Sequence, residues 1–257
     1  MRNFTFIILI GLVLVRCDRL DRDNPLDPKN PKATFAQMAT VELFVNDSTG
    51  YDYCRYAIDA IERLAQKTSY QDKVYVLEYH LTNRTLGWND SYALDEFNQR
   101  YYSYVPIISE RGIPDAMFNG LMMRVQGASM ETIEQRYAAA LEPLLVRTSP
   151  FYIQAIKKIS NNSIELDVRL AMYGTTMMQN LHLITVLYED LNTSGHRFLA
   201  RKILQEQIIT QIQHGEIQSF HVSAPLPAIS DVQRLYAIVL VQDQKSAKKE
   251  ILQAARF

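Results

Sequence analysis

Two cysteines, Cys17 and Cys54, are the side chains of this 257-residue chain best suited to covalent chemistry. Cys54 lies in STGYDYCRYA (residues 48–57), where a short apolar run gives way to a helical pattern. A thiol at a strand-to-helix junction is well placed for redox or nucleophilic work, because free N–H groups and the helix dipole stabilise a thiolate there. Dithiol exchange at such a place uses C-x-x-C spacing. Counting back from Cys54, the partner position holds Tyr51. A phenol forms no disulfide, and its ordinary pKa of about 10 keeps it protonated. Asp52 disfavours a thiolate and Arg55 partly offsets that. Dithiol chemistry is therefore excluded, while chemistry by Cys54 alone stays open.

Other reactive patterns are missing from the sequence. The histidines at 80, 182, 196, 214 and 221 have no H-x-x-x-H spacing and no cysteine pair beside them, so neither a metal nor a cofactor is expected. His80, ending EYH, reads as a satisfied structural residue. G-x-S-x-G, P-loop and G-x-G-x-x-G motifs are absent. Glu189 and Asp190 are adjacent on a strand and point to opposite faces, which suits a solvated strand end better than an acid–base pair. A net charge of −1 gives no electrostatic case for nucleic acid.

Cys17 has a different context. Arg2 precedes an apolar run from Phe4 to Val15, too short for a spanning helix of about 20 residues but suited to a secretory signal. Cys17 directly follows, and residues 1–17 resemble a bacterial lipoprotein signal in which the cysteine becomes the lipidated first residue. Arg16 departs from the small residue usual before that cysteine; an ordinary signal peptide or uncleaved anchor is the other reading. Residues 18–38, with DRLDRDNPLDPKNPK, form an extended tether, because the prolines stop a helix and supply no sheet donors. DNPLDP is similar to segments behind the lipidated cysteine of envelope lipoproteins.

The elements that must position Cys54 follow. ATVELFVN reads as a strand, and CRYAIDAIERLAQKT as a helix from Cys54 to Thr68 with Ala57, Ile58, Ile61, Leu64 and Ala65 on one face. KVYVLEYH is a second strand. SYALDEFNQRYYSY is a helix with Leu94, Phe97 and Tyr101 in its stripe. Asn119-Gly120 marks a hairpin, and a helix runs from about Met130 to Val146. That order resembles the thioredoxin fold, and GIPDAMFNG resembles its cis-proline segment. The resemblance implies a cis Ile113–Pro114 bond, with Pro114 opposite Cys54 and Tyr51 in a vestigial redox site.

After Pro150 the pattern turns to alternation, as in SIELDVRLAMYG, with LHLITVLYED, IQSFHVSAP and LYAIVLVQD as further strands. Residues 197–213 read as either a helix or two irregular strands. The expected fold is α/β plus all-β: a thioredoxin-like domain over 39–147, then an antiparallel β-sandwich-like domain over 148–257. With ITVLYED and the tail LYAIVLVQDQKSAKKEILQAARF, the chain resembles a family of bacterial outer-membrane lipoproteins with that domain pair. The resemblance implies export to the cell envelope, at the outer membrane, a lipid anchor in the membrane, and an envelope protein partner. Two functions remain: a non-enzymatic binding or scaffold lipoprotein, or a periplasmic thiol-disulfide protein acting through Cys54 alone.

Overall fold

Alternation of apolar and polar residues recurs along the chain, and strands take 43% of the described residues, among which there are three α-helices. A computed structural model describes residues 24–27, 30, 34–47, 52–83, 90–160, 162–192, 195–204, 206–229 and 231–257. The signal segment with Cys17, most of the 18–38 tether, and Tyr51 lie outside the described residues.

In chain order the elements are β1 (Phe35–Ala36), β2 (Ala39–Val45), α1 (Asp52–Gln66), β3 (Val74–His80), α2 (Asp95–Tyr104), β4 (Asp115–Phe118), β5 (Met123–Gln126) and α3 (Ile133–Leu141). Next come β6 (Thr148–Ser149), β7 (Phe151–Ile159), β8 (Ser163–Met172), β9 (Met178–Glu189) and β10 (Leu199–Ile203). The last are β11 (Gln207–Ile212), β12 (Ile217–Pro225), β13 (Leu235–Asp243) and β14 (Ile251–Arg256). One nine-stranded sheet runs β14-β13-β9-β10-β3-β2-β4-β5, with β11 also paired to β9; β12-β8-β7 form a second, antiparallel sheet, and β1 pairs with β6.

The large sheet overturns the expected fold class. Strands from both halves are hydrogen-bonded in it, through the parallel pairing of Leu199 with Glu78 and the bond from the Glu78 N–H to Phe198 O, 2.8 Å. No self-contained thioredoxin-like α/β domain precedes an all-β one; the chain is mostly β, with its helices laid on a shared sheet.

The cores repeat that point. β2 sends Val41, Leu43 and Val45 to one face and Phe44 to the other, the period of two that extended backbone imposes. On the first face α1 and α3 cover β2, β3 and β4, burying Ala57, Ile58, Ile61, Leu64 and Tyr137. Further along the sheet that role passes to β7, β8 and β12, which pack on Leu183, Leu187, Val239 and Val241. On the opposite face a single core joins Phe44 and Tyr79 to Phe97, Tyr101 and Tyr104 of α2 and to Ile184, Val186, Ile238 and Leu240. One face is thus continuous across both halves.

Several local expectations need adjusting. α1 starts at Asp52 and ends at Gln66, and α3 is shorter than the expected helix. Leu94 caps α2 and is 39% exposed, so the buried stripe begins at Phe97. Of the two readings of 197–213, the two strands hold, as β10 and β11. The Asn119-Gly120 turn joins β4 to β5 with both residues at positive φ. A Cβ on Gly120 would lie 2.0 Å from Lys249 O, so this turn docks under the β13–β14 connection only with glycine there.

Under the continuous face lies a buried ion pair. Arg100 donates to both Glu42 oxygens at 2.9 Å, to Gln242 Oε1 at 2.8 Å and to the Tyr104 hydroxyl at 2.7 Å. The Tyr104 hydroxyl donates to Glu42 Oε2 at 2.5 Å. A guanidinium removed from such a site leaves a buried carboxylate uncompensated. Arg100→Met should therefore lower the unfolding free energy by about 3–5 kcal/mol in urea titrations, with part of the loss recovered in Glu42→Gln/Arg100→Met. A loss below about 1 kcal/mol would show the pair to be inessential.

Candidate functional site

Cys54 sits in the first turn of α1, beneath the end of β2. Its side chain is 1% exposed. Burial pushes the thiol up to about 12; a hydrogen bond with the Asn46 backbone opposes this, and the carboxylates of Asp90, Asp47 and Glu78 add to it. The Ile113–Pro114 peptide is cis, and Ile113 packs on the core that contains Cys54.

Beside this thiol, β3 builds something the spacing of the histidines did not reveal. Glu78 and His80 are two apart on a strand and so share the face under α1. His80 is fully buried, with Nε2 2.6 Å from Glu78 Oε1 and Nδ1 2.6 Å from Asp90 Oδ2. Asp90 is held in turn by the N–H groups of Asp47, 2.7 Å, and Tyr92, 2.9 Å. His196 arrives from the loop before β10 and places Nδ1 3.4 Å from Glu78 Oε1, while its Nε2 faces Asp47 Oδ2 at 3.7 Å. The Tyr92 ring packs against both imidazoles, with centroids 5.4 and 5.3 Å away.

α1 positions that loop. Glu62 accepts the Gly195 N–H at 3.0 Å and the Arg197 N–H at 3.0 Å, strapping the residues either side of His196 to the helix. Gly195 has φ +97°, and a Cβ there would meet the Arg55 guanidinium at 2.6 Å. The positive φ favours glycine at that position, since the Arg55 side chain could move aside.

Electrostatically the cluster is a charge chain. Burial opposes the His80 imidazolium, but hydrogen bonds to Asp90 and Glu78 outweigh it and raise His80 to about 9. Burial raises Glu78 and Asp90, and the histidine bonds more than reverse this, so both carboxyls are held below their usual range. Glu62 is raised, by burial above all.

The remaining candidates do not converge. Glu189 is fully buried, 3.0 Å from the Arg201 guanidinium and accepting the Asp231 N–H, which corrects the expectation of a solvated strand end. Asp190 pairs with Arg197 instead. His182, His214 and His221 each bond a separate neighbour: Glu206, Tyr173 O and Asp167. An open cleft of about 520 Å³ shares Tyr92 with the histidine cluster and is lined also by Leu94, Glu96, Arg201 and Lys202.

No protein-family model and no curated protein matches the chain. Among solved structures, HBP35 of Porphyromonas gingivalis superposes with a TM-score of 0.65 at 12% identity, over 88% of this chain and 76% of that one. The chain shares that fold. At this identity the likeness to HBP35 speaks for architecture alone. Bacteroides uniformis β-glucuronidase 2 matches 42% of this chain and 12% of its own at a TM-score of 0.28 and 16% identity, too little to bear on this fold.

Two outcomes follow. In a Cys17→Ser background, Cys54 should alkylate far more slowly in native protein than in denatured protein at pH 8, with no rise as a free thiol of pKa about 8.5 would give between pH 7 and 9. Reaction at the denatured rate would refute its shielding. For metal-free protein, stability from His80 is complete below its unfolded value of about 6.5 and is lost as pH rises through about 9. The fall in unfolding free energy across that window should flatten in His80→Asn; an unchanged slope would assign it to other groups.

Proposed function

We propose that this chain is an exported lipoprotein of the bacterial envelope that works by binding or scaffolding, not by thiol chemistry. The observation that carries the reading is Cys54, buried and with its pKa pushed up to about 12. A thiol exchanger must present a thiolate to an incoming disulfide, and its rate depends on thiolate fraction and access. Cys54 supplies neither. The other cysteine, Cys17, belongs to the anchor in this reading.

Anchoring is supported by the apolar run Phe4–Val15, by Cys17 directly behind it, and by the proline-rich stretch that follows. A fold shared with a bacterial protein agrees with a bacterial origin. The membrane is then one partner, reached through lipid on Cys17, and a second envelope protein is the other. The open cleft beside Tyr92 falls within the volume range of small-molecule sites and supports a binding role.

The test compares wild-type protein with Cys17→Ser in a bacterial host by fractionation and intact mass, and both wild type and Cys54→Ser by insulin reduction. Wild type should carry a lipid mass on Cys17 and sediment with membranes, Cys17→Ser should be released, and insulin turnover should stay at background. An unmodified wild type that fractionates like Cys17→Ser would refute the anchor. Robust turnover that disappears in Cys54→Ser would refute the binding role.

A further inference from the structure

The geometry points to a divalent metal site of the zinc class formed by His80 Nε2, Glu78 Oε1 and His196 Nδ1. This inference is independent of the anchoring and binding reading. The three ligand atoms all lie within 4.8 Å of one another. Metal–ligand bonds of about 2.0–2.2 Å in a tetrahedron put ligand atoms about 3.3–3.6 Å apart. Glu78 Oε1 and His196 Nδ1 are 3.4 Å apart already. His80 Nε2 and Glu78 Oε1 stand at 2.6 Å, a hydrogen-bonded spacing that must open by somewhat under 1 Å when a metal replaces the proton between them.

What lies behind the ligands argues most strongly. Histidines that bind metals present one ring nitrogen to the ion and turn the other to a carboxylate, which fixes the tautomer and raises basicity. His80 does so through a hydrogen bond, and His196 faces a carboxylate beyond hydrogen-bond distance. His80 turns Nδ1 to Asp90 at 2.6 Å, and His196 turns Nε2 to Asp47 at 3.7 Å.

Charge supports the same conclusion. Glu78 and Asp90 place two carboxyl groups, each 1% exposed, on either side of the His80 ring. A divalent cation in place of the His80 Nε2 proton would neutralise that pair. Oxygen and nitrogen donors without thiolate suit Zn²⁺ or a neighbouring transition metal better than Ca²⁺ or Mg²⁺. Cys54 has its sulfur committed to a neutral, buried state and is not part of the ligand set. Access is from the side of His196, 17% exposed, and Asp47, 50% exposed. A fourth ligand would be water or a donor on a bound partner.

The experiment uses untagged full-length protein stripped with EDTA, titrated with Zn²⁺ against a chromophoric chelator, and with Co²⁺ for its visible spectrum. One Zn²⁺ per chain should bind with a dissociation constant at or below about 1 µM, and Co²⁺ should give the intense bands of a four-coordinate centre. His196→Ala removes a partly exposed ligand on a loop and should weaken Zn²⁺ at least about 100-fold, in a variant whose metal-free unfolding remains cooperative. Asp47→Ala should weaken it about 10-fold. Absence of stoichiometric binding, wild-type affinity in His196→Ala, or binding lost only when His182 and His221 are replaced would each overturn the site.

Discussion

A bidentate ion pair between Glu42 on β2 and Arg100 on α2 lies at the centre of this structure. Both side chains are almost wholly buried, at 0% and 6% exposure, and burying such charges is unfavourable unless every hydrogen-bonding group is met. Tyr104 and Gln242 meet them, and Gln242 comes from β13, far along the chain. The requirement to satisfy one guanidinium therefore fixes α2, β2 and β13 relative to each other. Around this polar centre the aromatic and aliphatic side chains of the continuous face close from both halves. Their burial supplies the favourable free energy, and the ion pair sets the geometry in which it is gained.

That constraint reaches the candidate site through the sheet. With β13 and β9 held beside α2, β10 is delivered to the free edge of β3, and the loop preceding it passes beneath α1. Glu62 then fastens the loop by two backbone N–H groups, and His196 comes to rest against Glu78. The cluster is thus assembled by long-range pairing. Glu78 and His80 come from β3, His196 from the β9–β10 loop, and their partners Asp47 and Asp90 from the segments before α1 and α2, none of which could form the cluster alone. Cys54 is enclosed by the same packing, and that burial, with a smaller contribution from the carboxylates nearby, keeps it a neutral thiol.

Much of the local structure was legible because local periodicity reports local burial. The alternation in SIELDVRLAMYG and the apolar face of α1 appear where the spacing puts them, and Asn119-Gly120 makes its hairpin. The overall class was not legible. β10 joins β3 through a pairing that no hydrophobic pattern encodes, and that pairing turns two apparent domains into one sheet. His80 showed its relation to Glu78 in EYH, since residues two apart on a strand share a face. His196 carried only a faint signal, the glycine before it, because its partner lies far away in sequence and the strap from Glu62 has no motif. Glu189 read as a solvated strand end for the same reason: its partner Arg201 belongs to a strand the periodicity left ambiguous.

The central claim is that the two halves form one cooperative unit through the β3–β10 edge and the shared α2 core. Native-state hydrogen exchange, followed peptide by peptide, tests it most directly. The account predicts that amides of β3, β9 and β13 open with the same free energy, equal to that of global unfolding. Protection kept in β9 and β13 while β3 and α1 exchange through a separate, lower-energy opening would contradict it.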